Sequence, residues 1–119
     1  MTYNGWSNYE TWNVNTWLTN DQGTQRMVDA MAREHFESAA DRTDEPHWSQ
    51  SDSARYHLAD ALKELVGDQN PLGADASMFT DLLQSALDNV NWSELANNFL
   101  SETEGYENFV FKHESEVTE

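Results

Sequence analysis

The chain has 119 residues, a formal net charge of −16 and no cysteine, at a mean hydropathy of −0.81. That length suits one domain around one core, and the missing thiols exclude disulfides, zinc–thiolate sites and a cysteine nucleophile. Five Trp, four Tyr and five Phe are more aromatic residues than chains kept disordered by acidity carry, so a folded protein is expected.

The hydrophobic spacing predicts helices in succession. Ser7 and Glu10 stand at capping-box spacing, which starts a first helix at about Asn8 and runs it to Asn20, with Gly23 closing it. Val28, Met31, Ala32, His35, Phe36 and Ala39 recur at helical spacing and predict a second helix from about Gln25 to Ala40. Pro46 breaks the pattern in "DRTDEPHW", 41–48. A third helix, about Asp52 to Val66, carries Ala54, Leu58, Ala61, Leu62 and Leu65 on one face and ends at Gly67.

"GDQNPLG" reads as a linker. Met78, Phe79, Leu82, Leu83, Ala86, Leu87 and Val90 mark a fourth helix over about Ala76 to Asn89, and "NWSE", 91–94, is a second capping box that starts a fifth with Trp92, Leu95, Ala96, Phe99 and Leu100 in register. After Gly105, "YENFVFKHE" reads as a short strand or a docked extended segment. The expectation is an all-α single domain of about five short helices over 1–113, followed by a frayed acidic tail at 114–119.

The segment "NGWSNYETWNVNTWLTND", 4–21, holds three tryptophans, a tyrosine and five asparagines. Aromatic rings at this density either anchor a core or form a recognition surface. The core reading is preferred because aromatics dominate burial, and it makes Trp12 and Trp17 largely buried. Asn13 and Asn15 would then satisfy neighbouring backbone groups.

The same residues resemble a small-domain family of phages, plasmids and archaeal mobile elements with a "GW-[ST]-NYETW-x-V" opening. Trp6, Asn8, Tyr9, Glu10, Thr11, Trp12 and Val14 all agree with it, over about the first 20 residues. The resemblance implies genomic company rather than a reaction. Small acidic proteins of such elements often block host defence enzymes; Trp6, Asn8, Tyr9, Glu10 and Trp12 of the pattern, together with Trp17 beyond it, are the expected structural motif.

Motifs for chemistry are absent. His35, His47, His57 and His113 have no paired metal spacing, and Pro46 stands where a calcium loop over 41–52 needs glycine. No phosphate-binding loop or nucleophile elbow occurs. The expectation is a non-enzymatic protein with no metal and no cofactor.

The acids are the remaining signal. Twenty-two Asp and Glu face six Lys and Arg, a balance that repels nucleic acid and anionic lipid. No apolar run exceeds "FVF" and the opening "MTYNGW" lacks signal-peptide character, so a cytoplasmic location in a host cell is expected. Glu34, Glu37, Asp41 and Glu45 follow i, i+3, i+7, i+11 along the second helix, and Glu102, Glu104 and Glu107 form a second set. Asp29, Arg33 and Glu37 form an i, i+4 ladder that would neutralise part of the first. These seven acids are the candidate partner-binding residues. They suit a DNA-mimicking inhibitor of a host nuclease or another nucleic-acid-binding complex. The alternatives are a halophile-adapted interaction module, whose acidity serves solubility in high salt, and a module that self-associates as a homodimer through an aromatic patch.

Overall fold

Two residues of positive φ, Asn4 at 48° and Gly5 at 88°, turn the chain before its first helix. Asn-Gly suits a two-residue hairpin turn that needs φ > 0 at both central positions. It pairs Tyr3 with Trp6 through backbone hydrogen bonds of 2.7 and 2.8 Å. The computed structural model describes residues 2–41, 48–73 and 76–109, so Glu45, the loop residues 42–47 and the tail at 114–119 lie outside the described residues.

Five helices follow: α1 Tyr9–Asn20, α2 Gln22–Ala39, α3 Gln50–Asp68, α4 Met78–Asp88 and α5 Trp92–Leu100. Each begins at a side chain that accepts a backbone N–H left over in the first turn: Asn8, Asp21, Ser49, Ser77 and Asn91 in order. The fold is all-α. Among the described residues no strand is formed, and 106–109 dock onto the helices as an irregular segment.

Several boundaries differ from expectation, two of them because a different acceptor side chain caps the helix start. The α1 cap is Asn8, which accepts from Thr11 N at 2.9 Å, so the Ser7–Glu10 box does not form. Asp21 caps α2 by accepting from Thr24 N at 2.9 Å, which draws Gly23 into the first turn of α2 instead of closing α1. Gly67 likewise sits inside α3 rather than after it.

α3 lies at the centre, packed against α2 and α5, while α1 leans on α2 and α5. Leu58, Leu62, Leu95, Leu100 and Val28 are fully buried. Ala32, Ala39, Ala54, Ala59 and Ala96 are buried between them, and small side chains let helix axes approach closely. The predicted stripes of α2, α3 and α5 are thus the core.

The tryptophans are not its anchors. Trp17 is 69% exposed, and Trp12 is only half-buried. α1 has one side against the body, occupied by Thr11, Val14 and Leu18. Trp17 is one residue from Leu18, about 100° around the helix, and turns outward. Trp12 instead packs sideways, its ring 5.1 Å from Tyr3 and 5.6 Å from Tyr9. The α4 stripe also departs from expectation: α4 has no buried residue, and Met78, Phe79 and Leu82 point to solvent.

Candidate functional site

Residues of the N-terminal motif join the start of α1 to the start of α5. The Ser7 N–H and hydroxyl both donate to Glu94 Oε1, at 3.1 and 2.7 Å. Glu94 is only 3% exposed, so these donors offset the cost of burying its carboxylate. Asn8 caps α1 with its oxygen and donates Nδ2 to the Asn89 carbonyl at 2.6 Å. Thr11, fully buried, donates Oγ1 to Asn8 Oδ1 at 2.6 Å and accepts from Asn91 N at 2.8 Å. Trp6 packs against the core from the edge. Asn8 and Asn91 therefore satisfy neighbouring backbone groups, the role expected of Asn13 and Asn15. The Asn15 side-chain oxygen is buried with no hydrogen-bond partner among the described residues. Glu10 is half-buried and Tyr9 exposed.

Sequence reasoning missed Glu94. Its partner Ser7 is 87 positions away, and Glu94 also fits the second capping box. Half of that box forms: Asn91 accepts from Glu94 N at 3.1 Å, while the Glu94 carboxylate turns to Ser7.

The two acid sets meet in a different place. A cleft of about 500 Å³ is lined by Asp29, Arg33 and Glu37 of α2 and by Glu102, Thr103 and Glu104 of the loop after α5. Phe36, Phe99 and Gln50 complete its lining. Glu34 and Glu37 also border an adjoining depression with His35 and Ser38. Asp41 is exposed at the end of α2. Glu107 is exposed too, but it lies beyond the cleft, with its N–H held by Ser51 Oγ at 2.8 Å. Of the seven candidate acids, the cleft gathers Glu37, Glu102 and Glu104.

Local geometry explains the meeting. Gln50 Nε2 donates to the Phe36 carbonyl at 2.8 Å, holding the start of α3 to α2. Gly105 has φ +90°, and a Cβ there would stand 3.5 Å from the Phe36 ring. Glycine at this position lets the loop turn back over Phe36 and carry Glu102 and Glu104 to Glu37. Among the described residues no ion pair joins Arg33 to Asp29 or Glu37; the ion pair seen there is Arg55–Asp52. The expected ladder does not close, and the cleft presents four carboxylates and one guanidinium over two phenyl rings. Exposed pairs are individually weak, but several together bias encounter with a cationic surface.

Beyond the cleft, a polar chain fixes the last described segment. Arg55 donates to the Tyr106 hydroxyl at 3.1 Å, which donates to Asn97 Oδ1 at 2.6 Å. The Asn97 side chain also takes the Phe109 N–H at 2.9 Å and gives Nδ2 to its carbonyl at 3.2 Å. Burial pushes the Tyr106 hydroxyl above its ordinary pKa, with Arg55 pulling partly back. The hydrogen bond from Arg55 holds Asp52 below the usual carboxylate value, against the effect of burial. Burial disfavours the charge on Arg55, but its bonds to Tyr106 and Asp52 outweigh this and raise its pKa.

No three His, Asp or Glu side chains gather as a metal site among the described residues. No helix there is long and apolar enough to cross a membrane. The chain belongs to a family of unknown function, DUF7249, whose model matches residues 1–104. The family likeness thus runs from the N-terminal motif through the loop bearing Glu102 and Glu104. No curated protein and no solved structure matches.

Proposed function

We propose that this family member is a non-enzymatic protein-binding factor whose acidic cleft receives the basic surface of a nucleic-acid-binding protein. The observation that carries the reading is the convergence of Glu37, Glu102 and Glu104 on one cleft from α2 and the loop after α5, far apart in sequence. Carboxylates set around a phenyl floor suit Lys and Arg side chains, whose charged heads and apolar stems are then both accommodated. The resemblance of the N-terminal motif to proteins of phages and other mobile elements directs the choice of partner to a host defence nuclease, of the restriction or CRISPR kind. Its DNA-binding groove offers the required charge, and this protein would occupy it in place of DNA.

The test is competition. Increasing amounts of the protein are added to a panel of restriction nucleases and CRISPR effectors on labelled duplex DNA. An inhibited enzyme should release its DNA, with an effect that falls steeply as salt rises. Changing Glu37, Glu102 and Glu104 together to Gln should weaken inhibition at least about tenfold. If no enzyme in the panel is inhibited, or the triple variant inhibits as well as the native chain, the reading fails.

A further inference from the structure

α4 presents an apolar face that nothing in the described fold covers. Met78, Phe79 and Leu82 are 66, 64 and 61% exposed, and they sit within one 100° arc of a single helix. Leu83 and Leu87, at the opposite edge of the same apolar arc, are half-buried, so the exposed part of the stripe is Met78, Phe79 and Leu82. These three side chains form one exposed apolar patch, a kind of surface that is often functional.

Two features identify the occupant. A second copy of this chain brings another −16, and in an antiparallel α4–α4 pair the Asp81 and Asp88 flank of each copy faces itself. A helix of opposite charge does not meet that obstacle. Asp81 and Asp88 are seven residues apart on one flank of α4, both exposed, and they match Lys or Arg at heptad spacing on a helix lying alongside. We propose that α4 is a docking site for an amphipathic helix of a partner protein, apolar where it meets Met78, Phe79 and Leu82 and basic at its border. This surface is separate from the acidic cleft and does not depend on it.

The experiment uses the full chain and a labelled 18-residue helical peptide of Leu and Lys with all Leu on one face. A second peptide of the same composition, reordered to have no apolar face, is the control. Fluorescence anisotropy measures binding by the native chain, by Phe79→Gln with Leu82→Gln, and by Glu102→Gln with Glu104→Gln. The expected result is binding of the amphipathic peptide at least tenfold tighter than the control, a loss of at least tenfold in the α4 variant, and, in the cleft variant, a weakening shared equally by both peptides so that the tenfold preference is kept. Both α4 positions are exposed, so circular dichroism and melting should show the fold intact. Absent binding, equal binding of the two peptides, or an unchanged α4 variant overturns the proposal. Loss in the cleft variant alone places the peptide in the cleft and also overturns it, leaving the cleft reading standing. Light scattering that finds a dimer made monomeric by the α4 changes would assign the face to a second copy instead.

Discussion

Replacing Thr11 by Val tests whether the N-terminal motif holds α1 to α5. Valine keeps the shape of threonine but removes its hydroxyl, and with it the bond to Asn8 Oδ1 and the acceptor for Asn91 N. Asn8 still caps α1 through Thr11 N, so the helix start survives and only the junction is affected. Two lost hydrogen bonds are worth about 1 kcal/mol each, and an N–H left without an acceptor adds about 1–2 more where water cannot reach it. Asn91 is half-buried, so the lower part of that range applies, and Thr11→Val should destabilise the protein by about 3 kcal/mol. Urea unfolding followed by tryptophan fluorescence measures the loss. Amide exchange supplies the local readout, because Asn91 N–H should exchange faster although it lies 80 positions from the substitution. Thr11→Ser, which retains the hydroxyl, should cost clearly less. A Thr11→Val protein within about 0.5 kcal/mol of the native one, with Asn91 exchange unchanged, would refute the junction as a source of stability.

Trp17→Ala should change stability by no more than about 0.5 kcal/mol, because the ring is mostly in water; denaturant midpoints compare it directly with Leu58→Ala, which should cost about 2–5 kcal/mol as a core truncation. Tyr106 ionises at higher pH in the fold than in the unfolded chain, whose reference value is 10.0. Its contribution is therefore intact below that pH and lost as pH rises through the raised value, so the urea midpoint should fall above about pH 10 and fall less in Tyr106→Phe. Added salt should raise the melting temperature, since it screens the repulsion of a chain at −16. Changing Glu34, Glu37 and Asp41 to Gln or Asn should produce part of that gain without salt, and a melting temperature that fails to rise in either case would contradict the role of repulsion.

The helices were legible because periodicity and capping are local. The stripes of α2 and α3 fall where Val28, Phe36, Leu58 and Leu62 recur, and these residues are buried. Errors arose where one local signal competed with another: Asn8 against Ser7, and Asp21 against Gly23. The fate of Trp17 was not legible, because spacing gives the angle between Trp17 and Leu18 but not which side of α1 meets the body. For α4 the period was right, but periodicity says only that a helix is two-sided, not that its apolar side is buried. The cleft was the least accessible feature. Glu37 and Glu102 are joined by the positive φ of Gly105 and its closeness to Phe36, and no spacing rule connects those positions.

The placement of charge bears on what the acidity is for. Among residues 2–20 only Glu10 is charged, and the exposed positions of α1 are Tyr9, Trp17 and Asn20. The exposed positions of α2 include Glu34 and Glu37, and those after α5 include Glu102, Glu104 and Glu107. A general adaptation to high salt acts on all solvent-facing positions alike and gives no reason to spare α1. The cleft goes further, for Gln50 and Gly105 hold the α2 acids and the loop acids together rather than letting them disperse. Four carboxylates line the cleft with one guanidinium, that of Arg33, so its lining is net negative. On the proposed function, a cationic partner would meet that net charge on binding, which would favour basic surfaces even where each contact is weak.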